Sequence, residues 1–172
     1  MQPLTTSDAI GPAGAVLAAA IAAVLDVRTG RIPNVLTATT AAAGLALALS
    51  GIGVVGLTAA AAGAALGLGL MLPGHLFGGT GAGDVKLMAA LGTLLGPAAI
   101  VVAFLASAIA GGVLAIGHAM RRRRLGKTLV RTARLATMTA AAKAQIDLDA
   151  PSTKFAYGPA LALGAIAAVL WR

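Results

Sequence analysis

Two aspartates are the residues of this sequence whose type and placement indicate chemistry. The chain has five acidic residues and no glutamate, and Asp26 ends the first apolar segment while Asp84 begins the fourth. An ionisable side chain at the edge of a helical bundle in a membrane indicates a functional site. Two carboxyl groups that share one site hold one proton between them, so one can activate water while the other protonates a carbonyl oxygen. This chemistry hydrolyses peptide bonds in aspartyl proteases, and we predict neither a metal nor a cofactor.

Each aspartate also has an ordinary interpretation, which stays open at this point. Asp84 follows Gly83 and precedes a helix, so it is also placed as a helix cap. Asp26 has Arg28 and Arg31 within reach as ion-pair partners. If the two aspartates do form a pair, the helix dipole favours the anion at the helix N-terminus of Asp84 and disfavours it at the C-terminus of Asp26. We therefore predict that Asp84 activates water and that Asp26 donates the proton.

The stretch before Asp84 reads GGTGAGDVK, and its glycines predict a shaped loop. Glycine accepts positive φ and lets another backbone approach closely, as an extended peptide substrate requires. The loop lacks the Lys-Ser/Thr pair of a phosphate-binding loop. Lys86 lies about 200° around a helix from Asp84, so we expect it to contact lipid phosphate instead of the partner of Asp84. The predicted loop-shaping glycines are Gly78, Gly79, Gly81 and Gly83.

The composition is that of an integral membrane protein. Hydrophobic residues make up 59% of the 172 residues and charged residues 10%, whereas soluble domains have about 45–50% and about 25%. Aromatic residues are scarce at 3% and glycines number 23, which allows helices to pack closely in a membrane. The chain has no cysteine, so disulfides, zinc–thiolate sites and thiol nucleophiles are excluded.

The hydropathy pattern predicts an all-α bundle of about six transmembrane helices. The fourth segment, with 13 residues, is shorter than the roughly 20 that a spanning helix needs. A break at Gly96 and Pro97 separates it from the fifth, and we expect a hairpin there. The apolar segments are 9–27, 35–50, 52–72, 84–96, 97–119 and 156–171.

The placement of positive charge predicts the orientation of this bundle. Twelve of the thirteen Lys and Arg residues fall in the stretches 28–34, 73–86 and 120–155. Since Lys and Arg collect on the cytoplasmic side, we predict both termini outside and both aspartates at the cytoplasmic edge of a multi-pass protein in the cell membrane. We treat 1–172 as one membrane-embedded domain, with 120–155 as a basic cytoplasmic segment. Because no aromatic residues interleave with Arg121–Arg124, we expect that run to contact anionic lipid and not nucleic acid.

Three stretches of the chain, in order, resemble the motifs of prepilin peptidases. The first, DVRTGRIPN (Asp26–Asn34), resembles their D-x-R-x-x-x-I-P-N motif, and the second, GGTGAGDVK, resembles G-x-G-D-x-K. The third, KFAYGPALALG at 154–164, resembles the P-[YF]-G-P element of their last helix, although Ala156 stands where proline is usual. The resemblance covers nearly the whole chain.

This resemblance implies a membrane aspartyl endopeptidase that removes the leader of type IV pilin-like precursors at the cytoplasmic face. By motif match, Asp26 and Asp84 are the expected catalytic pair. The short form is similar to the peptidases of tight-adherence (Flp) pili, so a Flp-type precursor is the expected substrate. The matched residues expected to shape the loops or meet the substrate, besides the four glycines, are Pro33, Asn34, Lys86, Tyr157, Gly158 and Pro159.

Two other functions compete with this interpretation. A presenilin-like intramembrane protease also uses a G-x-G-D aspartate, and Pro159-Ala160-Leu161 spells the Pro-Ala-Leu element of that group. In that group the first aspartate follows a tyrosine within the membrane, whereas Leu25 precedes Asp26 and a charged loop follows it. A non-catalytic transporter or scaffold with two proton-carrying aspartates would need further polar groups along a path through the bundle. We expect His75 in a loop and His118 at the end of the fifth segment beside the arginines, so neither makes such a path.

Overall fold

The computed structural model describes residues 6–52, 54–121 and 157–171, and every regular element within them is an α-helix. The all-α prediction is therefore confirmed for this part of the chain. The third apolar segment begins five residues later than predicted and continues through Pro73 to Leu76, so His75 lies in a helix and not in a loop. The helices are α1 (Thr6–Thr29), α2 (Asn34–Ser50), α3 (Leu57–Leu76), α4 (Ala82–Arg121) and α5 (Gly158–Trp171).

Three helical stretches within the described residues are long and apolar enough to cross a membrane. They are Ala9–Thr29, Leu57–Leu76 and Ala82–Gly117, while α2 and α5 are shorter apolar helices. Large hydrophobic side chains such as Leu49 and Leu170 are exposed on the helices, as expected where lipid replaces water. These helices support a membrane protein, and the count of six crossings with both termini outside stays a prediction.

The break predicted at Gly96 and Pro97 is present inside α4. Gly96 has φ 77° and ψ 179°, a conformation that glycine adopts at little cost. A straight helix would place Asp84 and Ser107 about 34 Å apart. Tyr157 nevertheless donates a hydrogen bond to the Ser107 carbonyl oxygen. The next residue, Gly158, donates to Asp26, and the connection after Asp26 contacts Gly83 beside Asp84. The first arm of α4, 82–95, and its second arm, 97–111, therefore fold back on each other.

The first arm of α4 is the centre of the bundle. Its apolar side chains are almost fully buried against small residues of α1 and α5. A helix covered by protein does not have to match the thickness of the bilayer, which explains how this short arm is accommodated. The largest fully buried side chains of the arm are Leu87, Met88, Leu91 and Leu95.

Helices α3 and α4 cross at glycines. A Cβ atom on Gly63 would collide with the carbonyl group of Gly92, and one on Gly92 would collide with Gly63 in turn. One helical turn away, a Cβ on Gly67 would stand 2.5 Å from the Met88 carbonyl oxygen. Backbones this close are typical of membrane helices that pack through small residues. The crossing therefore fixes α3 against the first arm of α4, which carries Asp84.

The chain divides into two compact units, 1–111 with 156–172 and 112–155. The first unit contains both aspartates and all of α1, α2, α3 and α5. The described part of the second unit, 112–121, is the end of α4. Most of the predicted basic segment 120–155 lies outside the described residues, as do the side chains of Arg121–Arg124. The assignment of 1–172 to one domain stays a prediction.

Candidate active site

Asp26 lies in the last turn of α1 and is buried, with 8% of its surface exposed. Its Oδ2 accepts a hydrogen bond of 2.8 Å from the backbone N–H of Gly158, the first residue of α5. Arg28 and Arg31 are exposed, and neither forms an ion pair with Asp26 within the described residues. The structure therefore gives Asp26 a backbone donor as its partner in place of the arginines considered from the sequence.

Asp84 is the third residue of α4 and is 7% exposed. Its Oδ2 accepts a hydrogen bond of 2.9 Å from the N–H of Gly81, and its own N–H donates to the Gly81 carbonyl oxygen over 3.1 Å. Asp84 is therefore not the N-cap residue itself: its carboxylate reaches back to the N–H of Gly81, which precedes the helix, as the third residue of a capping box does. The same bond fixes one carboxylate oxygen and leaves the other for a second role.

The two aspartates belong to motifs that pack against each other. They are the buried acidic side chains among the residues whose burial is described, and the connection that follows Asp26 contacts Gly83, the neighbour of Asp84, through Ile32. In each, Oδ2 is held by a backbone N–H, while Oδ1 accepts no hydrogen bond from the described residues. Because both have a backbone donor, the asymmetry expected from the helix dipoles is reduced. Which one acts as the base stays a prediction.

The glycine loop between α3 and α4 is held in place by its own hydrogen bonds. Gly79 N–H donates to the Gly74 carbonyl oxygen over 2.8 Å, and His75 Nδ1 lies 2.9 Å from the Thr80 carbonyl oxygen. Of the four glycines predicted to shape the loop, Gly78 alone has a left-handed φ, of 72°. Gly79, Gly81 and Gly83 do not have a positive φ, and their role in shaping the loop stays a prediction.

Gly83 instead allows the two aspartate motifs to touch. A Cβ on Gly83 would lie 3.1 Å from the Cβ of Ile32 and 3.4 Å from its carbonyl oxygen. Ile32 belongs to the connection that follows Asp26, whereas Gly83 precedes Asp84 directly. A larger residue at 83 would therefore push the start of α4 away from the end of α1.

A second contact between these motifs joins Lys86 to Asn34. Lys86 Nζ donates a hydrogen bond of 2.9 Å to Asn34 Oδ1. An ammonium has three N–H donors and Lys86 is exposed, so its expected contact with lipid phosphate stays a prediction. Pro33 precedes that residue with φ −64° and ψ 137°, and its carbonyl oxygen accepts the N–H of Leu36 over 3.1 Å. Together these contacts fix the beginning of α2 beside the first turn of α4.

Tyr157 links the start of α5 to the second arm of α4. Its hydroxyl donates a hydrogen bond of 3.0 Å to the Ser107 carbonyl oxygen. A carbonyl oxygen can only accept a hydrogen bond, so the tyrosine hydroxyl is the donor in this contact. Pro159 lies in the first helical turn, where its missing N–H is tolerated.

The structure brings together parts of all three motifs that the sequence singled out. Sequence reasoning did not predict the Gly158 N–H on Asp26, the Gly81 N–H on Asp84 or the role of Ser107. Backbone donors carry no side-chain signal, and the contact of Ser107 is made by its carbonyl oxygen. The result is two buried carboxyl groups, each with one oxygen fixed by a backbone N–H and without a cation partner in the described residues, which are the groups that acid–base catalysis would use.

Comparison with known proteins assigns the family of this chain. No significant match was found among curated proteins or among solved structures. The model of the type IV leader peptidase family matches residues 13–116, which is more than half of the chain and includes both Asp26 and Asp84. The third motif lies beyond the matched region. The apolar helical bundle and this match agree, and the chain belongs to the type IV leader peptidase family.

Proposed function

We propose that the protein is a membrane aspartyl endopeptidase that removes the leader peptide of a type IV pilin-like precursor, with Asp26 and Asp84 as its catalytic pair. Membership of the family makes it a type IV leader peptidase-like protease, and the family implies a pilin precursor as substrate. The observation that carries the aspartyl mechanism is the burial of both carboxyl groups, with Gly83 beside Asp84 packed against Ile32 of the connection that follows Asp26.

The proposed reaction uses one proton shared by the pair. The ionised carboxylate removes a proton from water as the water oxygen attacks the scissile carbonyl carbon. The protonated carboxyl group donates its proton to the carbonyl oxygen, which gives a neutral tetrahedral intermediate. When the C–N bond breaks, the carboxyl group that took the water proton gives it to the leaving nitrogen, and the other carboxylate takes a hydroxyl proton from the intermediate as the carbonyl re-forms. The pair then holds one proton again, so the cycle closes without a covalent intermediate.

The finer assignments rest on sequence. The similarity to the short tight-adherence type supports a Flp-type precursor as the substrate. The bias of Lys and Arg supports a multi-pass protein of the cell membrane with its site at the cytoplasmic face, and Arg121–Arg124 as a contact for anionic lipid.

A processing assay tests the proposal. A Flp-type precursor is co-expressed with the wild-type protein, Asp26→Asn or Asp84→Asn, and its size is followed by immunoblot. We expect the wild-type protein to shorten the precursor and each asparagine variant to abolish the shift, because an amide cannot take part in the proton exchange. Asp8→Asn serves as the matched control and retains processing. All variants are checked for insertion in the membrane fraction, and processing that survives either Asp26→Asn or Asp84→Asn contradicts the proposal.

One observation favours a presenilin-like protease as the second candidate. Asp26 is buried within the candidate span Ala9–Thr29, and Gly158, its hydrogen-bond partner, directly precedes Pro159-Ala160-Leu161. The position of the cut distinguishes the two. A leader peptidase leaves the hydrophobic segment of the substrate intact, whereas an intramembrane protease cuts inside it. N-terminal sequencing of the product decides between them.

A further inference from the structure

The start of α5 touches the candidate site at two consecutive residues. Gly158 donates its N–H to Asp26 Oδ2 over 2.8 Å, and Tyr157 donates its hydroxyl to the Ser107 carbonyl oxygen over 3.0 Å. Both contacts join residues far apart in the sequence, and both partners lie in the same compact unit. The segment is therefore attached to α1 on one side and to the second arm of α4 on the other.

We propose that residues 157 and 158 are positioning residues, whose function is to set the orientation of the Asp26 carboxyl group for catalysis. This inference rests on the proposed function and assigns the third motif a role besides contact with substrate. The Gly158 N–H holds Oδ2, and the Tyr157 hydroxyl holds the N–H donor in place. Oδ1 of Asp26 then remains for the water or the scissile carbonyl.

The backbone N–H is suited to this task because of its place in α5. The first N–H groups of a helix have no partner within the helix, so Gly158 has a donor to offer. A donor fixed in the backbone has no rotamers to lose, unlike the hydroxyl or amide of a side chain. A carboxyl group that is held by such a donor keeps one orientation during substrate binding and product release.

Glycine is required at 158 because of space. A Cβ there would lie 2.8 Å from the Asp26 Cβ and 3.0 Å from the Ala23 Cα. Both neighbours belong to α1, and contacts at these distances force one of the helices to move. The N–H of Gly158 reaches Asp26 because α5 and α1 approach this closely. Gly111 makes room for the ring of Tyr157 in the same way, because a Cβ on Gly111 would collide with that ring.

The test measures steady-state cleavage of a precursor by the purified full-length protein. Replacement of Gly158 by glycolate in cell-free synthesis turns its N–H into an ester oxygen and adds no side-chain atoms. We expect kcat to fall by about 10- to 100-fold, the range caused by misplacement of a catalytic group by about 1 Å, while KM stays within about twofold. Gly158→Ala should lower kcat at least as much. Wild-type kcat in the glycolate protein overturns the proposal.

A matched variant separates positioning from general destabilisation. Gly44→Ala also adds a methyl group at a crowded helix crossing, where it would meet the Thr93 side chain, but it lies away from both aspartates. We expect Gly44→Ala to lower the unfolding temperature and to keep the wild-type kcat. If it lowers kcat as much as Gly158→Ala does, loss of packing explains both and the proposal is overturned.

Tyr157→Phe tests the second half of the proposal. It removes the hydroxyl donor and keeps the ring against Gly111. We expect a several-fold decrease in kcat with KM unchanged, since the segment loses its attachment to Ser107 while Gly158 remains. An unchanged kcat would show that Tyr157 is not a positioning residue.

A readout without substrate separates this inference from the proposed function. Hydrogen exchange of the Gly158 amide, followed by NMR of ¹⁵N-glycine-labelled protein, should be slow in the wild type and at least tenfold faster in Asp26→Ala. Equal exchange in the two proteins overturns the proposed contact. A wild-type protein that shows the contact but cleaves no precursor refutes the proposed function and, with it, the catalytic purpose of the contact.

Discussion

At the scale of single residues, the candidate site depends on how each carboxyl group is held. Asp26 and Asp84 each accept one backbone N–H at Oδ2. Neither pairs with a cation in the described residues, although Arg28 and Lys86 are close in sequence. Such a cation would stabilise both ionised carboxylates and work against the sharing of one proton. The exposure of Arg28 and Lys86 keeps their charges from pairing with the carboxyl groups and therefore favours the sharing of one proton.

The Lys86–Asn34 hydrogen bond leads to a prediction at this scale. Lys86→Met and Asn34→Ala each remove the bond, so the second change should add little once the first has been made. Because the bond is exposed, we expect a coupling free energy of about 0.5–1 kcal/mol. Unfolding of the wild type, both single variants and the double variant in detergent measures it. Strictly additive effects would show that the two residues do not interact.

At the scale of helices, glycines set how closely the elements approach. The crossing of α3 and α4 depends on Gly63 and Gly92, whose backbones touch. Gly69 lies on the same helix as Gly63, but a Cβ there meets nothing within 4 Å. The position of the arm that carries Asp84 thus depends on some glycines of α3 and not on others.

This difference predicts opposite effects for the same substitution. Gly63→Ala and Gly92→Ala should each destabilise the protein by about 1–3 kcal/mol, the usual cost of overpacking. Gly69→Ala should leave the stability unchanged or raise it by up to about 1 kcal/mol, because alanine is the better helix former. Thermal unfolding of the three variants measures the change in stability that each substitution causes. Destabilisation by Gly69→Ala equal to that by Gly63→Ala would contradict the described crossing.

At the scale of the whole molecule, the orientation in the membrane decides which face the site uses. The connection after α1 and the glycine loop before α4 carry the two aspartate motifs, and contacts such as Gly83 with Ile32 place them together. Because of these contacts, we expect both motifs to open to the same side of the membrane. The connection between α2 and α3 lies at the other end of α2.

The absence of native cysteine makes this orientation measurable. We expect Ser50→Cys to react with a membrane-impermeant maleimide in intact cells. Thr29→Cys and Gly79→Cys should react only after the membrane is opened, because both are predicted to face the cytoplasm. Labelling of Thr29→Cys and Gly79→Cys from opposite sides would show that the two aspartate motifs lie on opposite faces of the membrane. Reversal of the whole pattern would place the site outside.

The sequence predicted much of this arrangement, for physical reasons that also explain what it missed. Apolar segments and the Gly96–Pro97 break follow from composition, and the aspartates stand out because charge is rare in such a chain. The partners of the aspartates did not stand out, because Gly81 and Gly158 act through their backbones. The contact of Lys86 with Asn34 was missed because it depends on how α2 meets α4, which residue spacing within one helix does not reveal.

The central claim is that Asp26 and Asp84 meet in one site, and a cross-link tests it most directly. Asp26→Cys and Asp84→Cys are combined in this cysteine-free chain, with a protease recognition sequence inserted between α2 and α3. Membranes are treated with a short bifunctional thiol reagent, cut with the protease and separated under denaturing conditions. We predict that the two fragments remain joined. In the control pair Asp26→Cys with Leu57→Cys, the second cysteine lies on the other fragment, about 28 Å along α3 from Leu76, and the two fragments should separate. Fragments of the Asp26/Asp84 pair that separate as completely as those of the control would contradict the shared site.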